Sequence, residues 1–201
     1  MTRKIIGFTG RMHTGKDTAG NYLCAAHGFQ RFAFADTLKS GIQKFGGFSD
    51  DQLWGESKDS VDVFWGITPR QMLQDVGTFM REKYTPDFWA MNLRRFAEEN
   101  PGTDIVITDV RYDNEIEIIK DLGGFVVRVW RPSTMKEIIQ QDSVSIHASE
   151  RQEFSVDETI DNSTTKGHLY HQIDELMYRW YDVPVPAMLD NGWHFMQGVI
   201  E

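Results

Sequence analysis

The sequence predicts an α/β fold in three layers, with a five-stranded parallel sheet between helices on both faces. Three observations predict it. Short apolar runs bounded by glycine alternate with stretches of helical periodicity, the pattern of parallel strands joined by right-handed crossovers. The first run leads at once into a glycine-rich loop that carries a lysine, and a helix follows. Apolar residues make up 40% of the chain and charged residues 25%, a balance that suits a globular protein with a real core.

Taken in order, residues 4–9 (KIIGFT) read as a buried strand. A helix follows from about Lys16, with Ala19, Tyr22, Leu23 and Ala26 at helical spacing and Gly28 as its stop. Residues 31–35 alternate as a second strand. Asp36 is placed to cap a helix carrying Leu38, Ile42 and Phe45, which Gly46 and Gly47 end. Residues 47–66 have no clean period and read as an irregular connection. Thr68 opens a helix, with Pro69 at its first position and Gln71 completing a capping box. Pro86 and Asp87 begin another that runs to about Glu99. Residues 104–108 and 124–130 supply the third and fourth strands, with a helix over 114–122 between them. A short helix is expected near 135–141 and a fifth strand at 157–161. The last helix carries Leu169, Ile173, Leu176, Met177 and Trp180 on one stripe. The tail after Tyr181 has no assigned role. The chain reads as one domain, residues 1–201, with an insertion over about 47–100.

Bulk properties narrow the function classes. No apolar run approaches the roughly 18 residues of a membrane-spanning helix, and the first residues lack a signal-peptide cleavage pattern. The single cysteine, Cys24, allows no intrachain disulfide and suits a reducing compartment, so a cytoplasmic location is expected. Cys24 itself reads as core. The net charge of −9 argues against broad, salt-driven nucleic-acid binding. A small anionic substrate stays compatible with it, because charge is screened over about 8 Å and a local arginine cluster can dominate a cleft. The histidines are scattered, and His168 and His171 share a helix face without a third ligand set.

The strongest motif is Gly10-Arg11-Met12-His13-Thr14-Gly15-Lys16, a G-x-x-x-x-G-K phosphate loop set between a strand and a helix. Its glycines allow the backbone to turn so that N–H groups converge on phosphate oxygens. The helix that follows adds unpaired N–H groups and the positive end of its dipole. Lys16 supplies a mobile charge for the β- and γ-phosphates. The residue after the lysine, usually Ser or Thr, is Asp17, with Thr18 next. Asp is a hard oxygen ligand, so Mg²⁺ binding by Asp17, directly or through water, stays reasonable. This loop assigns the sheet to the P-loop NTPase class.

A P-loop alone allows a switch, a motor or a kinase. On the helix opened by Thr68, residues Arg70, Gln74, Gly77 and Arg81 share one face, with Met72, Leu73, Val76, Phe79 and Met80 on the core side. The face reads either as solvated or as a phosphate acceptor site, and beside a P-loop the second reading is favoured, since the arginine fork bonds two phosphate oxygens at once. Gly77 then leaves room for a substrate group. Tyr84, Phe88 and Trp89 offer aromatic surface, with Trp89 the preferred stacking residue for a base. The third strand runs into DVRYDNE. Ligands of open α/β sheets bind beyond the strands' carboxyl ends, so Asp109 faces the phosphate loop as a Mg²⁺ or arginine partner, and Arg111 points to the same pocket. Glu115 reads equally as a helix-start acid or a substrate contact.

Together GRMHTGKDT, FAFADTLK, TPRQMLQDVGTFMR, DVRYDNE, HASE and TIDNSTT resemble the deoxynucleoside monophosphate kinases of tailed bacteriophages. The resemblance spans residue 10 to about residue 165, and the GKDT variant itself resembles that family. It implies ATP and Mg²⁺ as cofactors and a nucleoside monophosphate as second substrate, with no nucleic-acid or membrane partner and a homodimer as an open possibility. It implies catalytic roles for Lys16, Asp109, Arg111, Arg131 and Arg151, and Mg²⁺ contacts by Asp17 and Asp109. It implies acceptor contacts by Asp36, Lys39, Arg70, Gln74, Gly77, Arg81, Trp89, Arg111 and Glu115, so that 47–100 is an acceptor-binding insertion. It also implies a lid over about 131–156 and places Asn162 near the adenine of ATP; His147 and Glu150 in HASE stay open. The acceptor would be a phosphate, already anionic, so no general base is required. Two other readings stand beside this one. A P-loop kinase for dephospho-coenzyme A or phosphomevalonate would need Asp36 or Asp109 as base where the acceptor is a hydroxyl. A slowly hydrolysing nucleotide switch is the other, although the N-K-x-D guanine motif does not occur.

Overall fold

The computed structural model describes residues 3–132 and 155–184. The expected helix near 135–141, nearly all of the lid, His147, Glu150, Arg151 and most of the tail lie outside the described residues. The elements are β1 (Ile5–Thr9), α1 (Lys16–His27), β2 (Gln30–Phe32), α2 (Phe34–Gly46), α3 (Asp50–Leu53), α4 (Pro69–Lys83), α5 (Met91–Glu99), β3 (Ile105–Val110), α6 (Asp113–Asp121), β4 (Phe125–Trp130), β5 (Glu158–Asp161) and α7 (Lys166–Tyr181). A single 3₁₀ turn, Ser57–Asp59, lies between α3 and α4.

The five strands form one parallel sheet in the order β2-β3-β1-β4-β5. All of β1 is buried, as a central parallel strand covered on both faces must be. Its alternate residues serve opposite layers. Ile6 and Phe8 join Val106, Val127 and Ile160 in a core completed by Leu23 of α1 and by Leu169, Ile173, Leu176 and Met177 of α7. On the opposite face a Cβ at Gly7 would collide with Ile119 of α6. Helices thus cover both faces, and the three-layer arrangement is the one expected from the sequence.

Three features fix α1 and α7 to this sheet and to each other. A Cβ at Gly20 would overlap the Thr108 Cγ2 methyl, so α1 runs closer to β3 than any larger residue permits. Between the helices, Tyr22 donates its hydroxyl hydrogen to Asp174 Oδ2 at 2.8 Å, and His27 Nε2 lies 2.8 Å from the other carboxylate oxygen. At the far end of α7, the Tyr181 hydroxyl accepts the Ile5 N–H (3.2 Å) and donates to the Ile5 carbonyl (3.0 Å). Burial pushes its phenol up to about 12.

The chain divides into two compact units, one of residues 1–32 and 100–201, the other Ala33–Glu99. The second unit contains the insertion expected over 47–100 and also α2. Its core is Ile42, Phe48 and Leu53, with Leu38, Met72, Leu73 and Val76 packed around them. Several local expectations need correction here. Asp36 is not a cap. The extended Ala33 precedes the helix, Phe34 is already buried within it, and Asp36 lies in the first turn. Residues 47–66 are more ordered than their lack of period implied. Ser49 and Gln52 form a reciprocal capping box around α3, and the Trp65 indole donates to the Gly46 carbonyl at 2.7 Å. Residues 86–90 are turns, held by bonds such as Met91 N–H to the Asp87 carbonyl (2.9 Å), so the next helix starts at Met91. Phe79, expected in the core, is exposed.

Substituting Tyr181→Phe removes both bonds that tie α7 to Ile5. The expected cost is about 2 kcal/mol, a fall in Tm of about 4–8 °C for a chain of this size. An exposed phenol titrates near 10, and the folded value is higher. The stabilisation tied to the neutral hydroxyl is therefore complete below pH 10 and is lost as pH rises toward about 12. Alkaline unfolding curves of wild type and Tyr181→Phe should converge over that window. For Gly20→Ala, overpacking against Thr108 should outweigh the gain of about 1 kcal/mol in helix propensity and lower Tm. Adding Thr108→Ser, which deletes the methyl, should restore it in a thermal melt.

Candidate active site

The phosphate loop is shaped by backbone dihedrals that few residues tolerate. Gly10 (φ 138°) and Gly15 (φ 103°) both lie in the positive-φ region, and His13 (φ 63°) is left-handed. A Cβ at Gly10 would strike the Val129 carbonyl of β4, so the loop leaves the sheet in direct contact with the neighbouring strand. Thr14 is buried, and its hydroxyl donates to the Arg11 carbonyl at 2.9 Å, closing the loop on itself. The Lys16 ammonium folds back over the loop and donates to the Gly10 and Arg11 carbonyls, both at 2.7 Å. Gly15 opens α1 without a side-chain cap. The first turn therefore presents N–H groups that the helix itself cannot satisfy, and these favour an anion.

The end of β3 lies beside this loop. The register pairs Gly7 with Ile107 but Thr9 with Val110, so Thr108 and Asp109 of β3 together stand opposite Phe8 of β1. A bulge re-aims side chains where a strand ends, and here it lies opposite Phe8, just ahead of the P-loop. Asp109 is half-buried there, while Arg111 is exposed. Glu115 resolves as the helix-start acid. It is buried, and one carboxylate oxygen accepts the Arg111 N–H (2.6 Å) and the Tyr112 N–H (3.1 Å). That oxygen braces the turn that carries Arg111.

Asn162 follows β5. Its side-chain amide donates to the Thr14 carbonyl at 2.8 Å and fills the space a Cβ on Gly15 would need. The structure thus brings Gly10, Arg11, Met12, His13, Thr14, Gly15, Lys16, Asp17, Thr18 and Asn162 into one region, with Asp109 and Arg111 at the adjoining strand end. Met12, His13 and Asp17 are exposed. Arg131, at the end of β4, is exposed too. Sequence reasoning missed Thr108. Its hydroxyl is buried and, among the described residues, finds no hydrogen-bond partner.

Apart from Arg111 and Glu115, the residues expected to receive the acceptor belong to the second unit. Arg70 makes a two-pronged ion pair with Asp59, Nε to Oδ1 at 2.5 Å and Nη2 to Oδ2 at 2.9 Å. The guanidinium holds the Asp59 carboxyl below its ordinary range. Gln74 is exposed and Arg81 half-buried. Gly77 does not open room for a substrate: Leu38 of α2 lies against it, 3.3 Å from where a Cβ would stand, and its carbonyl accepts the Trp89 indole N–H at 3.0 Å. Trp89 is buried by that bond and by an edge-to-face contact with Phe88, whereas Tyr84 is exposed. Asp36 Oδ1 accepts the Trp54 indole N–H at 3.0 Å, and Lys39 lies 3.8 Å from the same carboxylate and 5.6 Å from the Trp54 ring. Trp54 therefore joins Asp36 and Lys39, an association that no sequence spacing signalled.

No protein-family model matches the sequence. Known proteins do. A protein of Acanthamoeba polyphaga mimivirus described as a candidate deoxynucleotide monophosphate kinase is 33% identical over 184 residues, 84% of this chain and 93% of that protein. The deoxynucleoside-5'-monophosphate kinase of Escherichia phage T5 is 32% identical over 126 residues, 54% of this chain; the match spans 50% of the phage protein's length. Among solved structures, shikimate kinase from Aquifex aeolicus superposes with a TM-score of 0.50 at 14% identity, covering 87% of this chain and 96% of that one, which establishes the shared fold. The extent of the mimivirus match decides the matter: the chain belongs to the deoxynucleoside monophosphate kinase family.

Proposed function

We propose that this kinase transfers the γ-phosphoryl group of ATP to a deoxynucleoside monophosphate, giving a diphosphate. The observation that carries the reading is the Lys16 ammonium drawn across a loop of positive-φ residues beside the bulged end of β3. The two carbonyls stand in for an anion: an incoming phosphate exchanges with them for the lysine. The names of the mimivirus and phage relatives support the choice of acceptor.

Transfer of this kind asks the protein for alignment and for neutralisation of charge. Lys16 and the first-turn N–H groups of α1 would bind the donor phosphates. The carboxylates of Asp17 and Asp109 are hard oxygen donors that suit Mg²⁺; when bound, the ion would neutralise developing phosphate charge. Arg111, presented by the turn that Glu115 braces, would orient the transferring group, with Arg131 and Arg151 serving as lid cations. Arg70 and Arg81 would hold the acceptor phosphate, which, being anionic, needs no base. Asp59 occupies the Arg70 fork as a phosphate would, so acceptor binding would exchange one anion for another. Asp36 and Lys39, with Trp54 against them, would line the nucleoside side.

The test is ADP release from ATP against a panel of ribo- and deoxyribonucleoside monophosphates. Acceptor-dependent release is expected, strongest for a deoxynucleotide; release that ignores the acceptor would sink the proposal. Lys16→Ala should lower kcat by about a hundredfold or more with an unchanged melting curve. Asp59→Ala should lower the acceptor KM severalfold while the KM for ATP stays put, since the competing carboxylate is gone.

A further inference from the structure

We propose that Asn162 is a positioning residue for phosphoryl transfer, setting the direction of the Gly15 N–H by holding the carbonyl of the same peptide unit. The inference rests on the reading of residues 10–16 as the phosphate site. A peptide bond is planar and trans, so its C=O and N–H point to opposite sides. Asn162 Nδ2 donates to the Thr14 carbonyl at 2.8 Å. That bond fixes the carbonyl on the Asn162 side and turns the Gly15 N–H away from it, to the side where a phosphate is received. Rotation of the unit about its flanking bonds is the principal freedom left to a glycine at φ 103°, and the Asn162 amide removes it. The fit is close: a Cβ on Gly15 would overlap the Asn162 amide nitrogen.

Asn162 can act as a strut because its own backbone is held on both sides. Its N–H donates to the Trp130 carbonyl at 2.8 Å, extending the β4–β5 ladder by one bond. The Gln172 side chain of α7 pairs with Asp161 as a second backbone would, accepting its N–H at 2.9 Å and donating to its carbonyl at 2.8 Å. The Asp161 carboxylate accepts the Ser163 N–H (2.7 Å) and hydroxyl (2.8 Å). The turn after β5 is thus anchored to β4 and α7 and transmits that rigidity to the phosphate loop. This role differs from the adenine contact implied by family resemblance, and the two predict different selectivity.

The experiment uses the full chain with Asn162→Asp, which keeps the shape but removes the donor, and Asn162→Ala. Calorimetric titrations with ADP, GDP and tripolyphosphate in Mg²⁺ buffer are run beside steady-state kinetics. Loss of one hydrogen bond of this kind is expected to weaken all three ligands by a common factor of about tenfold. The kcat should fall while the acceptor KM and the ratio of ADP to GDP affinity are unchanged. Wild-type affinity for tripolyphosphate in both variants, or a loss confined to ADP, overturns the proposal in favour of a base contact. A second measurement needs no variant: the Gly15 amide resonance of ¹⁵N-labelled wild type should move strongly on tripolyphosphate addition. A wild type that binds tripolyphosphate without moving that resonance refutes the strut. A wild type that fails to bind it refutes the phosphate-site reading itself.

Discussion

A lysine bonded to the carbonyls of its own loop is the interaction on which the rest of this molecule turns. Lys16 can reach Gly10 and Arg11 because the chain between them bends through positive φ at Gly10, His13 and Gly15. That bend is possible only where β1 stops and α1 starts. Strand and helix are therefore less a scaffold around the loop than the two fixed ends that define it. β1 lies at the centre of the sheet, between β3 and β4, so both neighbours meet the loop. β4 does so through the Val129 carbonyl and β3 through its bulged end.

How much of this was legible in the sequence depended on the range of the interactions involved. β1, β3 and β4 were readable to within about a residue or two, because buried parallel strands are continuous apolar runs; β2, read as 31–35, ends at Phe32, and Phe34 and Ala35 already belong to α2. The phosphate loop was readable because its residue types answer a local backbone demand. The 47–66 stretch was not, since α3 has four residues and cannot display a helical period; its Ser49–Gln52 capping box was the available signal. Glu115 was ambiguous because a first-turn acid serves its own helix or a ligand with equal ease. Gly77 and Trp89 misled for a different reason. What fills the space beside a glycine, or meets an indole N–H, is decided by residues far along the chain: Leu38 for the one, Gly77 itself for the other. Asn162 is the same case in reverse, a polar residue whose partner lies 148 positions away.

The second unit carries its chemistry differently. There the charged groups are satisfied by one another: Arg70 by Asp59, Asp36 by Trp54 and Lys39. Such exposed pairs contribute little to stability. Their worth lies in holding long side chains extended and oriented at small cost, ready for exchange with a charged ligand. In the first unit, Tyr22–Asp174 is a buried side-chain bond between helices, and Tyr181–Ile5 ties a partly buried phenol to the backbone of β1; these hold the fold more firmly than exposed ion pairs.

The order β2-β3-β1-β4-β5 leaves β2 and β5 at the margins of the sheet. They are its shortest strands, three and four residues long, while β3 and β4 within have six each. An outermost strand offers unpaired amides to any other extended chain, and the hazard grows with its length. Among the described residues, tapering the sheet toward both sides leaves little template for a foreign strand to zip onto.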